Sequence, residues 1–215
     1  MASVHEWWWD SEPQQPARVC LTPSLSSRLT RVAQELLDKV PLLPGDIRWR
    51  FIGHLQSNKA KALCSGAPSL VAVETVDSPK LANLLNTAWA GTAHGAQRRL
   101  DVYVQVNTSG EETKHGVEPA DAPALAKHVL DACPRLRFAG LMTIGQPDYT
   151  STPANFQCLL DCRTAVCDAT GLPPDDVELS MGMSGDFEAA IGMGSTNVRV
   201  GSTIFGAREY PNAAA

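Results

Sequence analysis

The strongest constraint on the fold is an alternation of short apolar, β-branched runs with longer amphipathic segments, from about Arg31 onward. Strand patterns fall at 48–52, 70–75, 100–106, 136–144, 177–181 and 196–205. Helical patterns lie between them, at 32–40, 57–64, 119–132 and 186–193, with two more starting at 78–79 and 152–153. Asp77 or Ser78 can cap a helix with Pro79 in its first turn. The helix from Thr152 and Pro153 carries an apolar stripe of Phe156, Leu159, Leu160, Arg163 and Cys167. Strict β-α alternation predicts a parallel sheet with helical crossovers. It leaves open whether the sheet is doubly wound or a (β/α)8 barrel. A barrel uses ~250 residues, about 31 per unit. Residues 31–215 hold about six such units, so a barrel would be two units short.

Residues 1–30 do not follow this pattern. They carry Trp7, Trp8 and Trp9, then Pro13, Pro16 and Pro23 and a serine-rich patch, with no helical or strand period. The expected organisation is a disordered leader over 1–30 and one α/β domain over 31–215. Hydrophobic residues make up 44% and charged residues 19%, as in ordinary globular domains. A formal net charge of -5 without a basic run argues against nucleic acid as a partner. No apolar stretch approaches the ~18–20 residues of a membrane span, and acids flank the tryptophans near the start, unlike a secretory signal. The six cysteines lack zinc-ligand spacing and read as reduced, small hydrophobes, which suggests a cytoplasmic setting.

The strongest local chemical signal is LSMGMSGD at 179–186, where a strand runs into a glycine-rich turn holding Ser184 before a short helix. Small residues let backbone N–H groups approach an anion there. The next strand ends in Arg199-Val200-Gly201-Ser202-Thr203, again small and polar. Barrel phosphate sites recur after the last two strands; two ordinary Gly/Ser turns are the alternative. Strand parity puts Val198 and Val200 on one face and Arg199 on the other, toward the inner side of the sheet. A buried guanidinium needs an acceptor, whether a ring nitrogen, a phosphate, or a carboxylate of the protein itself.

His54 and Asn107 also follow strands, as loop hydrogen-bonders or site residues, whereas Lys114 reads as a solvated lysine. No GxSxG elbow supports a serine nucleophile and no metal-binding motif is present.

Five stretches resemble the pyridoxal 5′-phosphate (PLP) homeostasis proteins: FIGHLQSNK at 51–59, VQVNTSGEETKHG at 104–116, GLMTIG at 140–145, ELSMGMSGD at 178–186 and GSTNVRVGSTIFGAREY at 194–210. The stretch at 147–155 and the closing AREYP are most similar to plant members. The resemblance implies a (β/α)8 barrel of the alanine racemase N-terminal type, with PLP at its mouth and a role in buffering or delivering that cofactor without turnover. By position, Ser184, Gly201 and Ser202 would hold the phosphate and Arg199 would face the pyridine nitrogen. PLP and apo PLP-dependent enzymes are the partners it implies. Family members carry their Schiff-base lysine on a first strand, in a stretch like VSKTKP, and a GENY-like motif on the second. Neither occurs here, and Lys39, Lys59, Lys61, Lys80, Lys114 and Lys127 all lie elsewhere. The leader reads as unrelated sequence joined to a family body, of the kind that alternative splicing or a gene-model error produces. Covalent attachment of PLP is therefore doubtful, and the exposed edges of the strands at 48–52 and 196–205 invite self-association. A racemase-like enzyme using PLP or a phosphorylated substrate, and a truncated product unable to hold PLP covalently, are the competing readings.

Overall fold

A computed structural model describes residues 18–19, 32–111, 115–145 and 152–206. The strands are β1 (Arg18–Val19), β2 (Trp49–Phe51), β3 (Leu70–Val76), β4 (Leu100–Gln105), β5 (Leu136–Met142), β6 (Glu178–Met183) and β7 (Asn197–Arg199). They form one sheet in the order β1-β7-β6-β5-β4-β3-β2, and every pairing in it is parallel. The helices are α1 (Val32–Lys39), α2 (Ala60–Gly66), α3 (Pro79–Ala90), α4 (Ala93–Gln97), α5 (Ala122–Ala132), α6 (Thr152–Thr170), α7 (Phe187–Gly192) and α8 (Ser202–Phe205).

The sheet curls toward a barrel. Three strand spacings, about 14 Å, separate β3 from β6 along the sheet. Yet Ser180 Oγ on β6 lies 2.6 Å from Glu74 Oε2 on β3. Neither side chain spans that gap across a flat sheet, so the strands bend around a shared interior. The curve remains open between β1 and β2, the two ends of the sheet. This is the incomplete (β/α)8 architecture that the family resemblance implies, and it decides between the two folds the alternation left open.

The main apolar core lies between the sheet and the helices, and includes Phe51, Leu63, Val73, Leu85, Trp89, Val102, Val129, Leu141, Leu159 and Met181. A smaller inner cluster of Ala72, Tyr103, Ala139 and Met142 shares the barrel interior with buried Glu74, Ser180, Asn197 and Arg199. Two-sided burial explains why the strands read as nearly continuous apolar runs.

Ser78 is the cap of α3, its Oγ accepting from Leu81 N at 3.3 Å, with Pro79 in the first turn. Leu81, Ala82, Leu85 and Trp89 then form its buried face. On α6 the buried stripe is Phe156, Leu159, Cys162 and Val166, and Arg163 sits on its half-buried flank. The expected stripe was rotated, because Leu160, Arg163 and Cys167 border the contact with the sheet rather than centre it.

Two strand expectations are corrected. The segment before Arg31 contributes β1, which pairs with β7 through Arg18↔Asn197 and Val19↔Val198. The rest of the expected leader lies outside the described residues. β7 therefore has a neighbour on its outer side, and β2 is left as the longer edge strand. The final strand stops at Arg199 rather than continuing to Phe205. Beyond it Gly201 turns away to donate its N–H to Ser184 Oγ, and Ile204 N and Phe205 N bond back to Gly201 O as α8. Among the described residues no helix is long and apolar enough to cross a membrane.

Cys64, Cys133, Cys158, Cys162 and Cys167 are free thiols. Burial pushes the Cys64 and Cys162 thiols up to about 12, Cys158 adding to the effect on Cys162. Only the thiolate attacks an alkylating agent, so about one Cys64 in 10⁴ is reactive at pH 8 even before access is counted. Iodoacetamide labelling of the folded chain, followed by peptide mass spectrometry, is expected to leave Cys64 and Cys162 unmodified until the chain is unfolded. Rapid native labelling of Cys64 would contradict this packing.

Candidate functional site

The C-terminal ends of the strands open onto one rim, where barrel folds build their sites. On the β6 side, Gly182 has a φ of 96°, and a Cβ there would lie 2.6 Å from Ala190 Cβ. Glycine lets β6 pass close under α7 and turn sharply into Ser184. Asp186 Oδ1 accepts from Met183 N at 2.6 Å and fixes that turn. Ser184 Oγ then accepts from Gly201 N at 2.9 Å and from Thr203 N at 3.4 Å, while Thr203 Oγ1 donates to Ser184 O at 3.3 Å. The two final loops are thus joined by one hydroxyl on which two backbone N–H groups converge. Gly201 is half-buried, and Ser202, the first residue of α8, is exposed beside it.

Arg199 lies beneath these loops on the inner face, 5% exposed, as parity required. Its Nη1 donates to Ser180 Oγ at 2.7 Å and its Nη2 to Thr143 O at 2.5 Å. Ser180 Oγ in turn donates to Glu74 Oε2. Glu74 is fully buried and also accepts from Arg50 Nε at 2.6 Å and from Asn197 Nδ2 at 3.5 Å. One carboxylate therefore serves two guanidinium groups, Arg50 directly and Arg199 through a serine. Burial opposes the Arg50 charge, but the attraction of Glu74 and Tyr103 outweighs it and holds the guanidinium protonated. Tyr103 in turn donates to Glu178 Oε2 at 2.5 Å, and burial, reinforced by Glu178, keeps its phenol above the usual range.

The remaining candidates separate. Asn107 Nδ2 donates to Glu111 O at 3.1 Å and to Glu118 Oε1 at 3.5 Å, and its Oδ1 accepts from Ser109 Oγ at 3.0 Å. It organises its own loop. His54 stands on the rim after β2, its ring stacked on that of His115 at 3.9 Å between centroids. Lys114 lies outside the described residues. Glu74, Arg50, Ser180 and Thr143 escaped the sequence reading, although an acid inside the apolar run LVAVETV was a usable signal for Glu74.

The donor set suits a phosphorylated, ring-containing anion: convergent N–H groups and a hydroxyl at one end, a buried cation at the other. Among the described residues it offers no amine to such a ligand from within the barrel, because Lys59, Lys61, Lys80 and Lys127 are exposed on helices and turns and Lys39 on α1 pairs with Glu35 at 2.6 Å.

Residues 55–209 match the family model of the alanine racemase N-terminal domain. Over 185 residues the chain is 51% identical to the pyridoxal phosphate homeostasis protein of Bos taurus, covering 82% of this chain and 67% of that protein. The chain belongs to the pyridoxal phosphate homeostasis protein family. Identity to the Homo sapiens member is 49% over 186 residues, covering 82% of this chain and 66% of that protein. The chain thus spans about two thirds of the length of these relatives. Among solved structures, PipY of Synechococcus elongatus with PLP bound superposes with a TM-score of 0.62 at 27% identity, over 83% of this chain and 79% of that one. The family match includes the Ser184 and Gly201 loops and Arg199.

Proposed function

We propose that this chain binds PLP reversibly at the barrel rim and takes part in intracellular PLP homeostasis as a cofactor buffer or donor. The observation that supports this most is the convergence of Gly201 N and Thr203 N on Ser184 Oγ, with Arg199 buried beneath. Phosphate oxygens arriving there would take over the two N–H donors and receive the Ser184 hydroxyl proton, with Ser202 at the rim of the same loop. Arg199 would face the pyridine nitrogen. A permanent cation at that nitrogen opposes its protonation, so the ring, whose bound chemistry is that of an electron sink, is a weak one here. Storage is favoured over turnover on this reading. No described lysine reaches the interior, so retention rests on charge-assisted hydrogen bonds, each worth about 1.5–3 kcal/mol.

Titration of the chain with PLP, followed by absorbance and equilibrium dialysis, is the test. Saturable binding that dialysis reverses is expected. Ser184→Ala should weaken it by a factor of roughly 10–150, the equivalent of one charged hydrogen bond. No saturable binding, or equal affinity in the variant, would refute the site. Borohydride reduction followed by mass spectrometry separates this from covalent retention, because an adduct on any lysine would overturn the reversible mode. The racemase-like reading draws on the family model's description and on the buried Arg199. Turnover of an amino acid in racemase or lyase assays with added PLP would favour it. Delivery to apo PLP-dependent enzymes is part of the proposal, and reactivation of such an apoenzyme by the loaded chain would support it. Self-association would proceed through β2, whose outer edge has no partner strand among the described residues. The free, buried thiols accord with a cytoplasmic setting.

A further inference from the structure

Past the C-terminal ends of β2, β3 and β4, three residues from three separate connections come together. His54 follows β2, Asp77 follows β3, and His115 follows β4. One nitrogen of each imidazole and one carboxylate oxygen all lie within 4.8 Å of one another. His54 Nδ1 is 3.8 Å from Asp77 Oδ2, and the two rings stack at 3.9 Å with 14° between their planes.

Each contributor is held by its own element. Asp77 immediately precedes the cap of α3, and its Oδ1 accepts from Ser78 Oγ at 3.2 Å, which leaves Oδ2 turned toward His54. The His115 backbone is pinned to β4, since Gln105 Nε2 donates to His115 O at 2.9 Å and Val117 N donates to Gln105 O at 2.8 Å. His54 lies between Gly53, with a φ of 138°, and buried Leu55. All three are at least partly solvent-accessible, so a cation has an entry path.

The geometry points to a binding site for a divalent transition cation of the zinc class, with His54, Asp77 and His115 as its three protein ligands. Two imidazoles and one carboxylate suit zinc, cobalt or nickel, whereas calcium and magnesium seek oxygen-rich sites. Bonds of about 2.0–2.1 Å at tetrahedral angles place ligand atoms about 3.3 Å apart, so the observed cluster contracts by at most about 1.5 Å on binding. A cation cannot lie in the planes of two parallel stacked rings at once. Binding therefore turns one imidazole out of the stack, and the exposed His115 is free to make that rotation. Three protein ligands leave a fourth position for water, the arrangement of an open rather than a purely structural site. The site shares no residue with the proposed cofactor cradle.

Cobalt titration of the full chain, with a non-chelating phosphine present to keep the thiols reduced, tests this. The expected result is one equivalent bound, with visible d–d absorption and no sulfur-to-metal charge-transfer band, displaced by zinc but not by magnesium. Single variants His54→Ala and His115→Asn are expected to bind at least about tenfold more weakly, while Cys162→Ala binds like the parent. A thiolate band, displacement by magnesium, or unchanged affinity in both histidine variants would overturn the assignment. Circular dichroism confirms that each variant is folded, and His115, lying on the surface, is the substitution least able to disturb the core.

Discussion

Replacing Glu74 with alanine is expected to lower folding stability by about 3–5 kcal/mol, the cost of breaking a buried ion pair from one side. Glu74 is fully buried and is the shared acceptor for Arg50, Ser180 and Asn197. Its removal takes from the Arg50 guanidinium its buried carboxylate and from Ser180 the acceptor that holds its hydroxyl hydrogen away from Arg199, so that its oxygen can accept from that guanidinium. Urea unfolding followed by far-UV circular dichroism measures the loss. The same substitution paired with Arg50→Met removes the uncompensated charge as well, and much of the lost stability is expected to return. A single Glu74→Ala variant within about 1 kcal/mol of the parent, the range of an exposed pair, would mean that Glu74 does not neutralise the interior.

Trp89→Ala is expected to cost a similar amount, about 3–5 kcal/mol, through a different mechanism. Trp89 is fully buried near the end of α3, where its Nε1 donates to Arg98 O at 2.9 Å. His94 packs against the ring at 4.6 Å between centroids, and the Arg98 guanidinium lies 4.8 Å from its centre. The indole thereby ties α3 to α4 and to the start of β4. Alanine leaves a cavity that these backbone-anchored neighbours cannot close, and orphans a carbonyl. Trp89→Phe refills most of the space and isolates the hydrogen-bond contribution. If Trp89→Ala unfolds at the parent's urea midpoint, the indole is not the clamp described.

The two families of residues in these predictions were unequally visible in the sequence. Runs such as LDVYVQV and the Ser78–Pro79 start signal are local, because burial on both faces and helix capping act within a few residues. Arg199 was placed correctly by parity alone, since a strand has a strict period of two. Its partners were not readable, because Ser180, Thr143 and Glu74 reach it only after the sheet curls and brings β3 against β6 and β7. His54, Asp77 and His115 form no motif for the same reason: each lies on a different connection, and only parallel strand order gathers them. Two errors were local. The run 196–205 is apolar enough to continue as a strand, but Gly201 gives its N–H to Ser184 instead of to a neighbouring strand. The two residues of β1 are too few to show any period, and their pairing with β7 is set by the distant edge they meet.

From β3 to β7 every strand lies beside the strand made just before it. Such an order lets the protein assemble vectorially. A strand emerging during synthesis finds its hydrogen-bonding template already in place, one helical crossover upstream. The β1–β7 pairing is the exception, because Arg18 must wait for Asn197. That contact closes the longest loop in the sheet and carries its largest loop-closure entropy, so it is the natural last step of folding and the first to fray.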